Sequence, residues 1–214
     1  MASMLVLKQE APRALEEATH VIEAGGLVIY PTDTLYGLGG DALSDEAVAK
    51  IYAIKGRSDD KPIHAIVSDM DMAERFAYVD HAAHLLAEKF LPGPITLVLR
   101  KKEGVVSGIA RGIDTFGIRI PDNYFCKQLV EAFGGPITTT SANRAGMYAM
   151  PTVEEILEQF GDGAHMIGCV IDAGVMPKRM PSTVVDCSGK RPVILREGAI
   201  PANEIWEALG ELRD

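Results

Sequence analysis

Short apolar β runs alternate with helix-period segments along almost the whole chain, and several of those runs end abruptly in glycine, hydroxyl or charged residues. Residues 5–7, 27–30, 63–67, 95–99, 116–120 and 137–140 read as strands, with further strands near 166–172, 183–186 and 193–196. Leu15, Ala18, Val21 and Ile22 at helical spacing, with Pro12 near the first turn and Gly25-Gly26 as a stop, predict a helix between the first two strands. Ser44 can cap a helix bearing Ala47, Val48, Ile51 and Ile54, while Asp69, Asp80 and Thr152 are caps for later ones. A helix over 123–133 stops at Gly134-Gly135-Pro136, and a last one starting at Pro201 carries Ile205, Trp206 and Leu209. Residues 31–43 read as a loop. Strands interleaved with helices predict an α/β fold with a mixed, twisted sheet. With 214 residues and no linker or repeat, a single domain over 1–214 is expected.

Several chemistries are excluded. No apolar run approaches the roughly 18 residues of a membrane span, and no basic n-region precedes an apolar h-region. A cytoplasmic protein without a membrane partner is therefore expected. Cys126, Cys169 and Cys187 lie far apart without a C-x-x-C pair, so buried free thiols are expected rather than zinc or a dithiol. His81 and His84 stand i,i+3 on a helix but lack a third ligand, so no metal site is expected. Neither G-x-x-x-x-G-K-[ST] nor G-x-G-x-x-G occurs, so side chains would have to supply the charge that a P-loop draws from its backbone.

The formal net charge of −9 argues against a broadly basic nucleic-acid binder. Its distribution says more. Residues 1–49 and 151–172 are acidic, much of that on helical patterns, whereas 50–61, 99–119 and 173–198 each carry a positive excess in loop-like sequence. Three basic segments converging on one anionic ligand is the expectation this supports.

Three polar segments at strand or helix ends are poorly explained by packing. Pro31-Thr32-Asp33-Thr34-Leu35-Tyr36-Gly37-Leu38-Gly39-Gly40 spends three glycines and three hydroxyls within ten positions, as close backbone approach, positive φ or a small polar ligand would require. Lys55-Gly56-Arg57-Ser58-Asp59-Asp60-Lys61-Pro62 follows a helix C-terminus and makes a strong anion clamp, since Arg grips oxyanions bidentately and Lys adds a mobile charge. Thr138-Thr139-Thr140-Ser141-Ala142-Asn143 sets four hydroxyls and an amide at a strand end, where α/β proteins place ligands. Arg119 within a β run needs a partner, and Ser182, Thr183 and Arg196 add polar groups at late strand ends.

Taken in order, the motifs P-T-D-T-L-Y-G-L-G at 31–39, K-G-R with K-P at 55–62, P-G-P-I-T-L-V-L at 92–99, G-I-R-I-P at 117–121, T-S-A-N at 140–143, S-T-V-V-D at 182–186 and L-R-E-G-A-I at 195–200 resemble the YrdC/TsaC family of threonylcarbamoyl-AMP synthases. The resemblance covers nearly the whole chain, in the short form without an extra C-terminal domain. It implies a twisted open α/β sheet with flanking helices around a large basic cleft. It also implies that L-threonine, bicarbonate and ATP give threonylcarbamoyl-adenylate and pyrophosphate. Mg²⁺ would accompany ATP, and downstream transfer proteins would carry the group to tRNA. Binding of tRNA or double-stranded RNA is a further property of some members.

By the family pattern, Lys55, Arg57, Ser141 and Asn143 are the expected catalytic group. Arg57, Lys61, Thr115, Ser141, Asn143 and Arg196 would bind ATP, with Lys55 also on its phosphates. Arg119 would pair with the threonine carboxylate, and Thr34, Thr139 and Ser182 would line the threonine pocket. No general base stands out. The chain departs from the pattern at Ile66, where several relatives carry His and where His64 lies close by. It departs also at Asp33 (commonly Glu), at Ala149 (commonly Ser) and at Arg179-Met180-Pro181 before Ser182. Two other readings predict different assays. A non-catalytic RNA-binding or ribosome-maturation module would bind RNA without turnover. A carbamoyl-transfer relative, like the YrdC-like domain of hydrogenase-maturation proteins, would use carbamoyl phosphate, but the acylphosphatase and zinc-finger segments found there are missing.

Overall fold

The computed structural model describes residues 4–56 and 62–210. Its first elements are β1 (Leu5–Lys8), α1 (Ala14–Glu23), β2 (Leu27–Pro31), β3 (Tyr36–Gly39), α2 (Asp45–Lys55), β4 (His64–Ile66), α3 (Met70–Phe76), β5 (Ala77–Tyr78) and α4 (His81–Phe90). Then follow β6 (Ile95–Lys101), β7 (Thr115–Arg119), α5 (Tyr124–Phe133), β8 (Ile137–Ser141), α6 (Val153–Phe160), β9 (Ile167–Asp172), β10 (Thr183–Asp186), β11 (Val193–Arg196) and α7 (Ala202–Leu209).

Local chemistry starts and stops the helices as the sequence predicts. Ser44, Asp69, Asp80, Asn123 and Thr152 each accept a hydrogen bond from the backbone N–H three residues on, satisfying a donor the first turn cannot use. Gly56 and Gly134 end α2 and α5 in the left-handed region, at φ 59° and 74°. α1 lacks such a side-chain cap, and its hold comes from burying Ala14, Ala18 and Ile22.

The strands form one mixed sheet in the order β1-β9-β2-β3-β8-β4-β7-β6-β10-β11, with β5 on β6. β8 lies between two half-sheets: Ile137, Thr138 and Thr139 pair with β4, while Thr140 and Ser141 pair with β3. α1 and α5 pack together beside β2 and β9, and α4 and α7 pack together at the β6 end. Leu27, Ile29, Tyr30, Ile51, Leu86, Leu97 and Phe116 are among the fully buried side chains of the core. Burial of a large apolar side chain is worth about 1.5–3 kcal/mol, so this core is the main stabilising term.

The predicted loop over 31–43 is corrected here: it contains β3. Gly37 and Gly39 sit beneath the Tyr30 ring, where an added Cβ would lie 3.1 Å from Tyr30 Cζ and 2.7 Å from Tyr30 Cε1 respectively. Neither they nor Gly40 has positive φ. These glycines serve close approach, and alternating glycine hides a strand from a reading based on apolar alternation. β5 was also missed, being only two residues long.

Candidate active site

One face of the sheet opens into a cavity of about 230 Å³. Alternation of side chains along each strand selects what lines it. β4 offers His64 and β8 offers Thr139, which are cross-strand partners; β6 offers Thr96 and β7 offers Arg119. The rims add Thr34, Lys55, Ser141, Asn143, Ser182 and Arg196.

Arg119 is the most constrained group. It is 5% exposed, donates from Nε to the Gly93 carbonyl at 3.2 Å and from Nη1 to Thr34 Oγ1 at 3.0 Å, and forms an ion pair through Nη2 with Asp33. A guanidinium carries five N–H donors. Three are engaged, which leaves one on each terminal nitrogen for a further acceptor. Thr32 Oγ1 folds the turn that presents Asp33 and Thr34, accepting from Thr34 N at 3.0 Å and Leu35 N at 3.1 Å. Arg179 closes this turn from outside by donating to the Asp33 carbonyl.

Arg196 stands across the cavity. Nε and Nη2 reach the Ser182 carbonyl at 3.1 and 2.8 Å, and Nη2 reaches Ser182 Oγ at 3.2 Å. Ser182 Oγ lies 3.0 Å from Thr96 Oγ1. Burial, and then the like charge of Arg119, lower the affinity of the Arg196 guanidinium for its proton. Among the described residues, no Asp or Glu lines the cavity. Two guanidiniums facing one space without a lining carboxylate make it a place for anions.

Lys55, the last residue of α2, is 3% exposed and donates from Nζ to the carbonyls of Ser141 at 2.5 Å and Asn143 at 2.8 Å, with Asn143 Oδ1 at 3.5 Å. Ser141 Oγ also meets Asn143 Oδ1, and Asn143 Nδ2 donates to the carbonyls of Arg144 at 2.9 Å and Met147 at 2.6 Å. Lys55, Ser141 and Asn143 thus form one connected unit that fixes the turn after β8. Tyr36 ties β3 to the segment just after β9: its hydroxyl donates to the Gly174 carbonyl at 2.8 Å, and burial pushes its pKa up to about 12.

Of the residues singled out from the sequence, Thr34, Lys55, Arg119, Thr139, Ser141, Asn143, Ser182 and Arg196 line this one cavity. Thr115 lies at the opposite end of β7 from Arg119, outside the lining. Arg57 and Lys61 fall outside the described residues. The three basic segments each send one described cation to the cavity, Lys55, Arg119 and Arg196. Arg111 instead pairs with Asp45 at 2.8 Å, and Lys101 donates to the Ala110 carbonyl at 3.0 Å. Sequence reading missed Thr96, a hydroxyl inside an apolar run, and assigned nothing to His64. The His64 ring lies over Gly117, where an added Cβ would collide with it. Among the described residues, no group of three His, Cys, Asp or Glu could hold a metal ion, and all three cysteines are buried and free. Likewise, no helix among them is long and apolar enough to cross a membrane.

The family model for Sua5, YciO and YrdC proteins, described as "Telomere recombination", matches residues 20–198. The chain is 38% identical over 198 residues to a putative threonylcarbamoyl-AMP synthase of Methanocaldococcus jannaschii, covering 92% of each. It is 38% identical over 197 residues to the threonylcarbamoyl-AMP synthase of Pyrococcus abyssi, spanning 92% of this chain and 57% of that one. The fold superimposes on P. abyssi Sua5 complexed with L-threonine with a TM-score of 0.87 at 35% identity, over 99% of this chain and 62% of the other. Escherichia coli YciO follows with a TM-score of 0.78 at 26% identity, over 92% and 96% of the two chains. A match of this extent, running through the strands and turns that build the cavity, makes the chain a member of the Sua5/YciO/YrdC family.

Proposed function

We propose that this chain is an L-threonylcarbamoyladenylate synthase, a nucleotidyltransferase acting on L-threonine, bicarbonate and ATP in the tRNA threonylcarbamoyladenosine pathway. The observation that carries this reading is the convergence of Arg119 and Arg196 on one hydroxyl-lined cavity whose described lining has no carboxylate. The reaction gathers a triphosphate, an amino-acid carboxylate and bicarbonate in one place, and their mutual repulsion must be offset by fixed positive charge. Relatives at 38% identity carry the synthase name, and one related structure holds L-threonine.

In this reading the two unengaged N–H groups of Arg119 take the threonine carboxylate, and Thr34, Thr139 and Ser182 accept or donate around its hydroxyl and amine. The amine, having lost a proton, attacks the bicarbonate carbon; water leaves and a carbamate forms. A carbamate oxygen then attacks the α-phosphorus of ATP and the bond to the β-phosphate oxygen breaks, releasing pyrophosphate. In the same reading Arg196, Ser141 and Asn143, which line the cavity, hold the nucleotide, and Arg57, Lys61 and Thr115 belong to the same proposed site on family pattern alone. Lys55 acts by fixing the turn that presents Ser141 and Asn143. Positioning and charge neutralisation carry most of the rate in such a displacement. Mg²⁺ would arrive on the triphosphate, held mainly by phosphate oxygens and water.

The test is pyrophosphate release by the purified chain. Release that requires threonine and bicarbonate together supports the synthase. Release indifferent to threonine, or turnover of carbamoyl phosphate instead, overturns it.

A further inference from the structure

Thr96 is a hydroxyl set in an apolar strand. Its neighbours on β6 are Ile95, Leu97, Val98 and Leu99, it is 1% exposed, and its parallel partner on β10 is Val184. Packing alone would be met by valine, which has nearly the same shape, whereas a buried hydroxyl costs free energy unless it is hydrogen-bonded. Leu97 pairs with Ile118 across the antiparallel β6–β7 ladder, so Thr96 and Arg119, the next residues in line, stand side by side. Both line the cavity.

The partner of Thr96 Oγ1 is Ser182 Oγ, at 3.0 Å, and among the described residues the Thr96 hydroxyl has no other. Ser182, itself buried, already accepts one hydrogen bond at this oxygen, from Arg196 Nη2 at 3.2 Å, since a guanidinium can only donate. A hydroxyl has one proton and two acceptor positions. When Thr96 donates, both acceptor positions of Ser182 are filled and its own proton is released toward the cavity. When Ser182 donates to Thr96 instead, that proton is turned into the sheet. The charged donor behind Ser182 strengthens its O–H as a donor, so an acceptor bound in the cavity selects the first arrangement.

We infer that Thr96 is a positioning residue that makes the Ser182 hydroxyl a dedicated donor to the β-hydroxyl oxygen of threonine; this rests on the synthase reading. Arg119 holds the carboxylate in that reading, which leaves the hydroxyl and the amine to Ser182. A donor placed on the amine would occupy the lone pair that must attack the bicarbonate carbon. With both acceptor positions filled, Ser182 cannot accept from the amine N–H either. The β-hydroxyl oxygen is the acceptor that remains. Thr96 acts through Ser182, by choosing which end of that hydroxyl the substrate meets.

The experiment measures threonine affinity by calorimetry, and pyrophosphate release, for the unmodified chain, Thr96→Val and Thr96→Ser. In Thr96→Val, threonine is expected to bind about three- to tenfold more weakly, the size of one hydrogen bond, with its KM raised to match. KM for ATP stays within about twofold, as for a contact made to threonine alone. Thr96→Ser restores the hydroxyl and is expected to restore threonine affinity and KM with it. The analogue α-aminobutyrate, which lacks the β-hydroxyl, is bound weakly or not at all, and equally by the unmodified chain and Thr96→Val. The inference is overturned if Thr96→Val binds threonine as the unmodified chain does, if Thr96→Ser fails to rescue, if KM for ATP rises in step, or if α-aminobutyrate loses as much as threonine. Threonine binding without threonine-dependent pyrophosphate release fails the synthase reading alone. Unchanged binding in Thr96→Val beside threonine-dependent release fails this inference alone.

Discussion

Arg119 and Asp33, 86 residues apart, form an ion pair in which the two side chains are only 6% and 8% exposed. The pair does two things. It neutralises a charge that the interior would otherwise exclude, and it fixes the orientation of a guanidinium that lines the cavity. Removing the acid is therefore worse than removing the pair. Asp33→Ala is expected to destabilise the fold by about 3–5 kcal/mol, read as a lower urea midpoint, because it strands a buried cation. Asp33→Ala/Arg119→Met is expected to recover much of that stability while leaving no turnover. A double variant no more stable than Asp33→Ala would refute the account.

Arg119→Lys keeps the charge but loses the planar fork. An ammonium cannot reach Asp33, Thr34 and Gly93 and still offer two parallel donors. In pyrophosphate release, KM for threonine is expected to rise tenfold or more, with KM for ATP within about twofold. An equal rise in both constants would place Arg119 on the nucleotide instead.

Gly117 and His64 share one volume. Gly117→Ala is expected to cost about 1–3 kcal/mol of stability, the usual range for overpacking, as the imidazole is forced aside. In His64→Ala the space is open, so Gly117→Ala added to it should be nearly neutral. The double-mutant cycle in thermal or urea unfolding measures this coupling, and simple additivity would refute the packing described.

Stability should fall on the alkaline side. Burial pushes Cys169 up to about 11 and Cys187 to about 12 from an ordinary 9, and Tyr36 to about 12 from 10. In the unfolded chain these groups ionise first, so the folded state binds more protons as pH rises above about 9. The stabilisation is complete below that pH and is lost as pH climbs toward 11–12. Urea midpoints from pH 8.5 upward test it. At pH 8 the three buried thiols, Cys126 included, should resist an aromatic disulfide reagent until the protein is unfolded. Rapid reaction of the native protein would contradict their placement.

Helix α3 depends on Asp69, whose side chain accepts from Met72 N at 2.7 Å. Asp69→Ala is expected to cost about 1 kcal/mol and Asp69→Ser much less, by urea unfolding.

Elements whose signal is local were legible in the chain. Ser44, Asp69, Asp80 and Thr152 announce their helices because a cap is a contact over three residues. The site was legible where chemistry is costly to bury, as with Arg119 in a strand and four hydroxyls at 138–141. What escaped depends on distant partners. Nothing near Tyr36-Gly37-Leu38-Gly39 says that Tyr30 will lie across those glycines. Nothing near Lys55 says that its ammonium will meet the carbonyls of Ser141 and Asn143. Read from its neighbours Lys55 is only a cation at a helix end; the fold adds that its ammonium braces those carbonyls while lining the cavity.

β8 spans five residues, yet in the sheet's order it is the strand between the two half-sheets, and Thr139 and Ser141 on it face the cavity. The seam that joins the molecule is also the floor of its reaction chamber. A lineage altering those side chains to accept a new substrate would be editing the joint itself. Innovation in this architecture should therefore accumulate at the rims, in the turn before β3 and the segment before β10, while the floor stays the same.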